Sequence, residues 1–210
     1  MKTLIWPVAI CVLLSGTLSG QFPPDVILEL VGGNTGDEFG YSVAAVGDVN
    51  GDGIPDLIVG VPYFMYPSAT FNPSARVYSG PTGSTIRIYE LPGFGFAVAG
   101  AGDVNEDGYD EVAISFPYDS SHGVNAGLVQ VFDGHSSEIL FEFYREPRDV
   151  LGYSLAGVGD FDGDGGPDLL VGSRSAPTDI HGAGIVRVYS FPPSRTLRRG
   201  QRGGGRGRAL

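Results

Sequence analysis

Cysteine is almost missing from this chain of 210 residues, which contains a single one, Cys11. Cys11 lies in an apolar run, Leu4 to Leu14, that follows Lys2 and precedes small polar residues. This order is typical of a signal peptide, so we expect residues 1–20 to be removed on export. An uncleaved anchor or a buried strand is the alternative, but the run is shorter than the roughly 20 residues that span a bilayer. The exported chain would then have no thiol and no disulfide.

The shortage of cysteine also argues against zinc, because protein zinc sites rely on cysteine and histidine ligands. The three histidines, His122, His135 and His181, are scattered through expected turns, and we interpret each as a solvated loop residue. Motifs of hydrolases, such as a nucleophile elbow or His-Glu-x-x-His, are missing as well. The sequence therefore predicts no enzyme activity.

Positive charge is scarce in the body of the chain. There are 13 Lys and Arg against 24 Asp and Glu, which gives a net charge of -11. All the acidic residues lie between Asp25 and Asp179, whereas a cluster of arginines occupies the tail from Arg195 to Arg208. A surface this acidic repels nucleic acid and attracts cations. We therefore expect no nucleic-acid partner.

Helical periodicity is absent too, and 34 glycines and 15 prolines interrupt the chain too often for helices. In its place the chain repeats one unit three times: an aromatic or leucine residue with glycine, an acidic glycine-rich loop, and an apolar run. The three loops begin at Asp48, Asp103 and Asp160, which are 55 and 57 residues apart. Self-similarity at a fixed period of this length indicates a repeat architecture.

Each unit continues into further strands rich in β-branched and aromatic residues. The expected third strands are Ala75 to Tyr78, Gly127 to Phe132 and Gly184 to Tyr189, and the expected fourth strands are Ile86 to Glu90 and Glu138 to Phe143. Four short strands per period are typical of a propeller blade. The sequence therefore predicts an all-β fold, a partial β-propeller of about three four-stranded blades.

Two segments lie outside the repeats. Val26 to Val31 ends at a glycine pair and is predicted to be the fourth strand of a preceding blade. Residues 191–210 are rich in Arg and Gly, and we expect them to be disordered. Either the tail is an anion-binding arm, or it is the product of a truncated or frame-shifted reading of a longer gene, which we favour. The expected organisation is a signal peptide over 1–20, repeats at about 34–90, 91–145 and 146–190 within a region 21–190, and the tail.

Each acidic loop carries oxygen-bearing side chains at its first, third, fifth and ninth positions and a glycine at the sixth. Alternate spacing wraps the chain around one centre, and the carbonyl of the seventh residue adds a donor, as suits calcium with its 6 to 8 oxygen ligands. The predicted ligands are Asp48, Asn50, Asp52, Ile54 and Asp56; Asp103, Asn105, Asp107, Tyr109 and Glu111; and Asp160, Asp162, Asp164, Gly166 and Asp168. We expect one calcium ion per loop, three in all, and the third loop to bind at least as tightly as the others.

Two other interpretations of the loops are weaker. A plain Asp-Gly hairpin turn would explain the glycines, but carboxylates held so close repel one another unless a cation neutralises them. An EF-hand has a Glu at position 12, where this chain has Val59, Ile114 or Val171. The pattern favours a calcium-binding β-hairpin.

The order Phe-Gly, Asp-x-Asn-x-Asp-Gly and Gly-x-Pro resembles the FG-GAP repeat of integrin α-subunit β-propellers and related bacterial secreted proteins. The resemblance covers about Phe39 to Tyr189 and implies calcium at the same loop residues, by position. The departures are Leu151 in place of Phe, Ser115-Phe116-Pro117 in place of Gly-Ala-Pro, and Gly172-Ser173-Arg174, which keeps the Gly alone. That family closes its ring with about seven blades, whereas this chain supplies about three. An open arc exposes strand edges, so self-association through blade edges, a fragment or an extended array is expected.

These observations together predict a calcium-binding module for binding or adhesion, exported to the cell envelope or the medium. Its partner is expected to be an extracellular protein or glycan. The alternatives are the propeller portion of a secreted hydrolase and a purely structural envelope protein.

Overall fold

The computed structural model describes residues 25–33, 36–62, 73–90, 93–175 and 183–191. Every regular element in these ranges is a β-strand, which confirms the predicted all-β class. The strands are β1 (Ser42–Gly47), β2 (Asp56–Val61), β3 (Ser74–Tyr78), β4 (Thr85–Glu90), β5 (Val98–Gly102), β6 (Glu111–Phe116), β7 (Leu128–Phe132), β8 (Ile139–Tyr144), β9 (Leu151–Gly159), β10 (Asp168–Ser173) and β11 (Ile185–Ser190). The strands predicted from the repeats are thus confirmed with shifts of about one residue at their ends.

The strands form three antiparallel sheets, here called blades 1, 2 and 3. Blade 1 contains β1 to β4 and blade 2 contains β5 to β8, each in sequence order, and blade 3 contains β9, β10 and β11. Each strand pairs with the strand that follows it in its own blade, as short hairpin connections require. The partial propeller is therefore confirmed, with four strands in two blades and three described strands in the third.

Two hydrophobic clusters hold the blades together. Between blades 1 and 2, Val46, Ile58 and Val77 pack against residues that include Val112 and Ile114. Between blades 2 and 3, a second cluster of aliphatic and aromatic residues includes Ala113, Val131, Leu151, Leu169 and Val171. Leu151 is fully buried there, so it fills the position where the family motif has Phe. Blade 2 is buried on both faces because it lies between the other two.

Glycine allows the first strands of the blades to approach one another. A Cβ atom placed on Gly100 would lie 2.9 Å from Val46 Cα, and one placed on Gly157 would lie 2.3 Å from Gly100 O. No real Cβ fits at these distances, so β1, β5 and β9 lie closer together than strands with larger residues could. The acidic loops that follow these three strands are thereby brought to one end of the molecule.

One strand prediction was wrong. Residues 25–33 contain no strand, and Val26, Ile27 and Val31 are largely exposed. A strand needs a neighbour to take its backbone hydrogen bonds, and no described strand pairs with this segment. Its leucines lie instead against the turn between β3 and β4, where a Cβ on Gly83 would come within 2.7 Å of Leu28 Cδ1.

Several predictions fall outside the described residues. They concern the signal peptide with Cys11, the histidine His181 and the Arg/Gly-rich tail beyond residue 191. The described ranges contain no helix whose length and hydrophobicity would let it cross a membrane.

Candidate metal loops

The three acidic loops connect the first two strands of each blade. We call them loop 1 (residues 48–56), loop 2 (103–111) and loop 3 (160–168). In each loop the sixth residue is a glycine with a left-handed backbone, with φ of 82° at Gly53, 92° at Gly108 and 95° at Gly165. Residues with a Cβ rarely adopt this conformation. The glycine therefore provides the sharp turn that sends the chain back into β2, β6 or β10.

The first aspartate of each loop organises the backbone around itself. Asp48 Oδ1 accepts a hydrogen bond from Gly51 N over 2.7 Å, and its Oδ2 accepts one from Gly53 N over 2.7 Å. Asp160 accepts equivalent bonds in loop 3, and in loop 2 Asp103 accepts bonds from the N–H groups of Asp107 and Gly108. Burial acts to raise the pKa of Asp48, but the backbone hydrogen bonds outweigh it and lower the pKa. The Asp48 carboxylate is thus held ionised at the centre of loop 1.

The ninth residue of each loop is an acid that begins the next strand and is fully buried: Asp56, Glu111 or Asp168. One oxygen of each accepts a hydrogen bond from the backbone N–H of the second loop residue, over 3.1, 2.5 and 2.7 Å respectively. The other oxygens differ. Asp56 Oδ1 accepts a bond from Gly80 N over 3.1 Å. Glu111 Oε1 and Asp168 Oδ1 are buried and have no hydrogen-bond partner among the described residues.

An unpaired buried carboxylate oxygen is costly, because it has lost its water and gained nothing in return. In loop 2 burial, followed by the charges of Asp107, Asp103 and Asp133, raises the pKa of Glu111 to about 8, although the Val104 N–H opposes the change. In loop 1 burial raises the pKa of Asp56. A cation would remove the cost by coordinating the unpaired oxygen and neutralising the repulsion.

In two of the three loops, the carboxylates of that loop lie close to one another. In loop 2, oxygens of Asp103, Asp107 and Glu111 lie within 4.8 Å of one another, and in loop 3 the same holds for Asp160, Asp162 and Asp168. Within the described ranges, loop 1 does not form such a group. Loops 2 and 3 could therefore hold a hard cation as they stand.

The remaining predicted ligands have other described contacts. Asn50 and Asn105 each accept a hydrogen bond from the backbone of the fifth residue and donate one to its carboxylate. The seventh residues, Ile54, Tyr109 and Gly166, donate their N–H to the carboxylate of the fifth residue over 2.8 to 2.9 Å. Asp164 also accepts a bond from Ser190 Oγ over 3.2 Å. These contacts close each loop into a compact ring of oxygen-bearing groups.

Two carboxylates near the loops were missed in the sequence. Asp133 follows β7 and accepts a hydrogen bond from Asn105 Nδ2 over 3.0 Å, so a fourth carboxylate lies beside loop 2. Its equivalents in the other blades are Ser79 and Ser190, and this shared polar position after the third strand is the signal that could have found it. Asp110, at the eighth position of loop 2, reaches loop 1 and is the acceptor for Asp48 N.

Three consecutive blades, each with an acidic loop on its first hairpin, define a repeat protein of the propeller type. The FG-GAP repeat matches residues 39–80, 94–132 and 151–189, which is more than half of the chain. The protein therefore belongs to the FG-GAP repeat family.

The curated relatives include integrin α subunits. Human integrin alpha-7 is 36% identical over 179 residues, covering 77% of this chain and 14% of the relative. Integrin alpha-6 of Gallus gallus is 34% identical over 159 residues, covering 68% and 14%, and integrin alpha-PS2 of Drosophila melanogaster is 37% identical over 176 residues, covering 71% and 12%. The chain thus spans about a seventh of the length of these relatives.

Among solved structures, the rhamnogalacturonan lyase YesW superposes with a TM-score of 0.44 and 15% identity, covering 72% of this chain and 33% of that one. The Bacillus licheniformis rhamnogalacturonan lyase PL11 gives the same TM-score with 14% identity and the same coverage. A likeness of this size says nothing about function.

Proposed function

We propose that this protein is a calcium-stabilised extracellular binding module. The observation that carries the proposal is the pair of buried, unpaired oxygens on Glu111 and Asp168, each within a group of three carboxylates. The FG-GAP resemblance implies calcium at the same positions. The donors are oxygens throughout, which suits calcium better than zinc.

We propose one ion in each loop, with the same fifteen ligands that the sequence predicts. Loop 1 is the weakest of the three, because Asp56 Oδ1 already accepts a hydrogen bond from Gly80 N. Loop 3 has an aspartate, Asp162, where the other loops have an asparagine, so all four of its side-chain ligands are carboxylates. In this scheme calcium fixes the hairpins and takes no part in a reaction.

The end of the blades opposite the acidic loops carries a candidate binding surface. Tyr41 and Phe96 precede β1 and β5, Tyr153 lies near the start of β9, and Tyr118 follows β6, so all four lie at the end far from the acidic loops. Phe96 contacts the other three rings at centroid distances of 5.0 to 5.8 Å. Arg174 covers Tyr153, with its guanidinium carbon 5.2 Å from the ring centroid. Tyr41 and Tyr118 are exposed.

Aromatic rings grouped with an arginine are the residue types that dominate binding surfaces. Here Tyr41 and Tyr118 are exposed, whereas Phe96 is buried. We propose that this aromatic surface meets an extracellular protein or a glycan. The integrin relatives support an adhesive role outside the cell, and the leader-like N-terminus supports export. Binding is favoured over catalysis because the carboxyls with raised pKa, Asp56, Asp110 and Glu111, all lie in the acidic loops, where burial and then the charges of neighbouring loop carboxylates account for the shifts.

Calcium titration by calorimetry, combined with thermal unfolding in calcium and in chelator, tests the metal sites. We expect about three ions per chain and a higher Tm in calcium, and one ion fewer for Glu111→Gln or Asp168→Asn. Glu138→Gln, an exposed acid in the β7–β8 turn, is the matched control and should bind as the wild type does. Absence of both binding heat and a Tm shift would overturn the proposal.

The aromatic surface is tested with a glycan array and with immobilised extracellular-matrix proteins. A ligand found in these assays should bind the Tyr118→Ala variant more weakly than the wild type. It should bind Tyr144→Ala, which changes an exposed tyrosine on β8, as tightly as the wild type. Equal affinity of the two variants would exclude the aromatic surface as the binding site.

A further inference from the structure

The interface between blades 1 and 2 is repeated between blades 2 and 3. We call the face that a blade presents to the following blade its back face, and the opposite one its front face. The back face of blade 1 is formed by Ala44, Val46, Ile58, Ala75 and Val77. The back face of blade 2 is formed by the equivalent residues Ala99, Ala101, Ala113, Val129 and Val131. Both faces are apolar, and each is covered by the next blade.

Blade 3 has the same back face, but in this chain it is exposed. The equivalent residues are Ala156, Val158, Leu170, Val186 and Val188. Leu170 pairs with Ala156 on one side and with Val188 on the other, so the three form one row across the sheet. Val186 is 68% exposed, whereas its equivalent Val129 is fully buried.

The front face of blade 1 is the surface that would cover a back face of this kind. Blade 2 covers the back face of blade 1 with Phe94, Val98, Val112, Ile114 and Phe132. The equivalent residues of blade 1 are Phe39, Val43, Leu57, Val59 and Tyr78. Val43 is 68% exposed, whereas its equivalent Val98 is 5% exposed. Val59 and Tyr78 are already buried, so the open part of this face centres on Val43, with Phe39 and Leu57 half-buried beside it.

We propose that the back face of blade 3 binds the front face of blade 1 in a second copy of this chain. Both halves of the interface are present on one molecule, and the same pairing of residues is already made twice within it. Covering the two faces removes apolar surface from water, which is the main drive for association. The contact joins blade faces, unlike the strand-edge pairing that the sequence suggested.

Such a contact is heterologous, because different surfaces of the two copies meet. Heterologous contacts close into a ring when the rotation permits and otherwise extend into a filament. Two copies would supply six blades, within the roughly 4 to 8 that propellers contain. None of the ten residues of the two faces is a predicted metal ligand, so this contact does not depend on the metal loops.

Sedimentation velocity of the full chain over a range of concentrations provides the test. We expect the wild type to associate, and Val186→Glu or Ala156→Glu to raise the dissociation constant about tenfold or more, because an unpaired carboxylate would be buried in an apolar contact. Val43→Glu, which changes the front face of blade 1, should raise the dissociation constant to the same extent. Val124→Glu places the same change on an exposed valine away from both faces and should associate as the wild type does.

Mixing the variants distinguishes this arrangement from a symmetric one. A Val186→Glu chain retains its front face and a Val43→Glu chain retains its back face, so the mixture should form 1:1 dimers although each variant alone is monomeric. A monomeric wild type at every concentration would overturn the proposal. So would unchanged association of Val186→Glu, or a mixture that stays monomeric.

Discussion

The backbone N–H of Asp48 donates a hydrogen bond to Asp110 Oδ2 over 2.8 Å, and the N–H of Asp110 donates one to Asp48 O over 3.0 Å. This reciprocal pair joins loop 1 to loop 2. The eighth position is a proline in the other loops, Pro55 and Pro167, so the connection is particular to Asp110. Because Asp48 is also the first predicted ligand of loop 1, a change in one loop acts directly on the other.

Replacing Asp110 with alanine should therefore destabilise the protein and weaken calcium binding in loop 1. The Asp48 N–H would lose its acceptor in a partly buried site, which typically costs about 1 to 3 kcal/mol. Urea unfolding and calcium titration measure the two effects. Asp110→Asn keeps a side-chain oxygen at the same place and should cost less. Equal losses for Ala and Asn would show that the charge of Asp110, and not its hydrogen bond, holds the loops together.

The blades and their loops could be predicted because the repeat fixes them locally. Strand ends, turn glycines and acidic positions recur in phase, so each unit supports the assignment of the others. Asp110 could not be found in this way, since the other loops have a proline at its position and its partner Asp48 lies 62 residues away in sequence. Val26 to Val31 has the composition of a strand, yet a strand forms only where a neighbour supplies hydrogen bonds.

Gly108→Ala should lower stability by about 1 to 2 kcal/mol, which is the cost of holding a residue with a Cβ in a left-handed conformation. Nothing lies within 4 Å of a Cβ placed at Gly108, whose φ is 92°, so crowding contributes nothing. Gly33 also has open space around it but does not have a positive φ. Gly33→Ala should therefore leave the free energy of unfolding nearly unchanged, and a similar loss for both variants would contradict this account.

Arg187→Met should be the most damaging single change proposed for blade 3. The guanidinium of Arg187 binds both oxygens of the buried Asp149, over 3.1 and 2.9 Å, and also donates to Ser173 Oγ. Loss of one partner leaves a buried carboxylate unpaired, which costs about 3 to 5 kcal/mol. The double variant Arg187→Met with Asp149→Asn removes both charges and should be more stable than Arg187→Met alone, as chemical denaturation of both would show.

The raised pKa of Glu111 predicts that, without calcium, the stability of the protein decreases with rising pH. Its pKa rises from 4.5 to about 8 on folding, first because of burial and then because of neighbouring carboxylates. Between these two values the folded chain binds a proton that the unfolded chain has released, so the free energy of unfolding falls as the pH rises through this window. Burial also raises the pKa values of Asp56 and Asp110, which act in the same direction.

Unfolding in chelator at several pH values between 4.5 and about 8 measures this effect. The fall of the free energy of unfolding with pH should be smaller in Glu111→Gln, which has no proton to lose at this position. It should also be smaller in the wild type with saturating calcium, because the ion favours the ionised carboxylate. Glu138→Gln should retain the full slope, because that side chain is exposed. A chelated wild type whose stability stays constant or increases across the window would show that Glu111 is already ionised without calcium, and the unpaired oxygen would then have another partner.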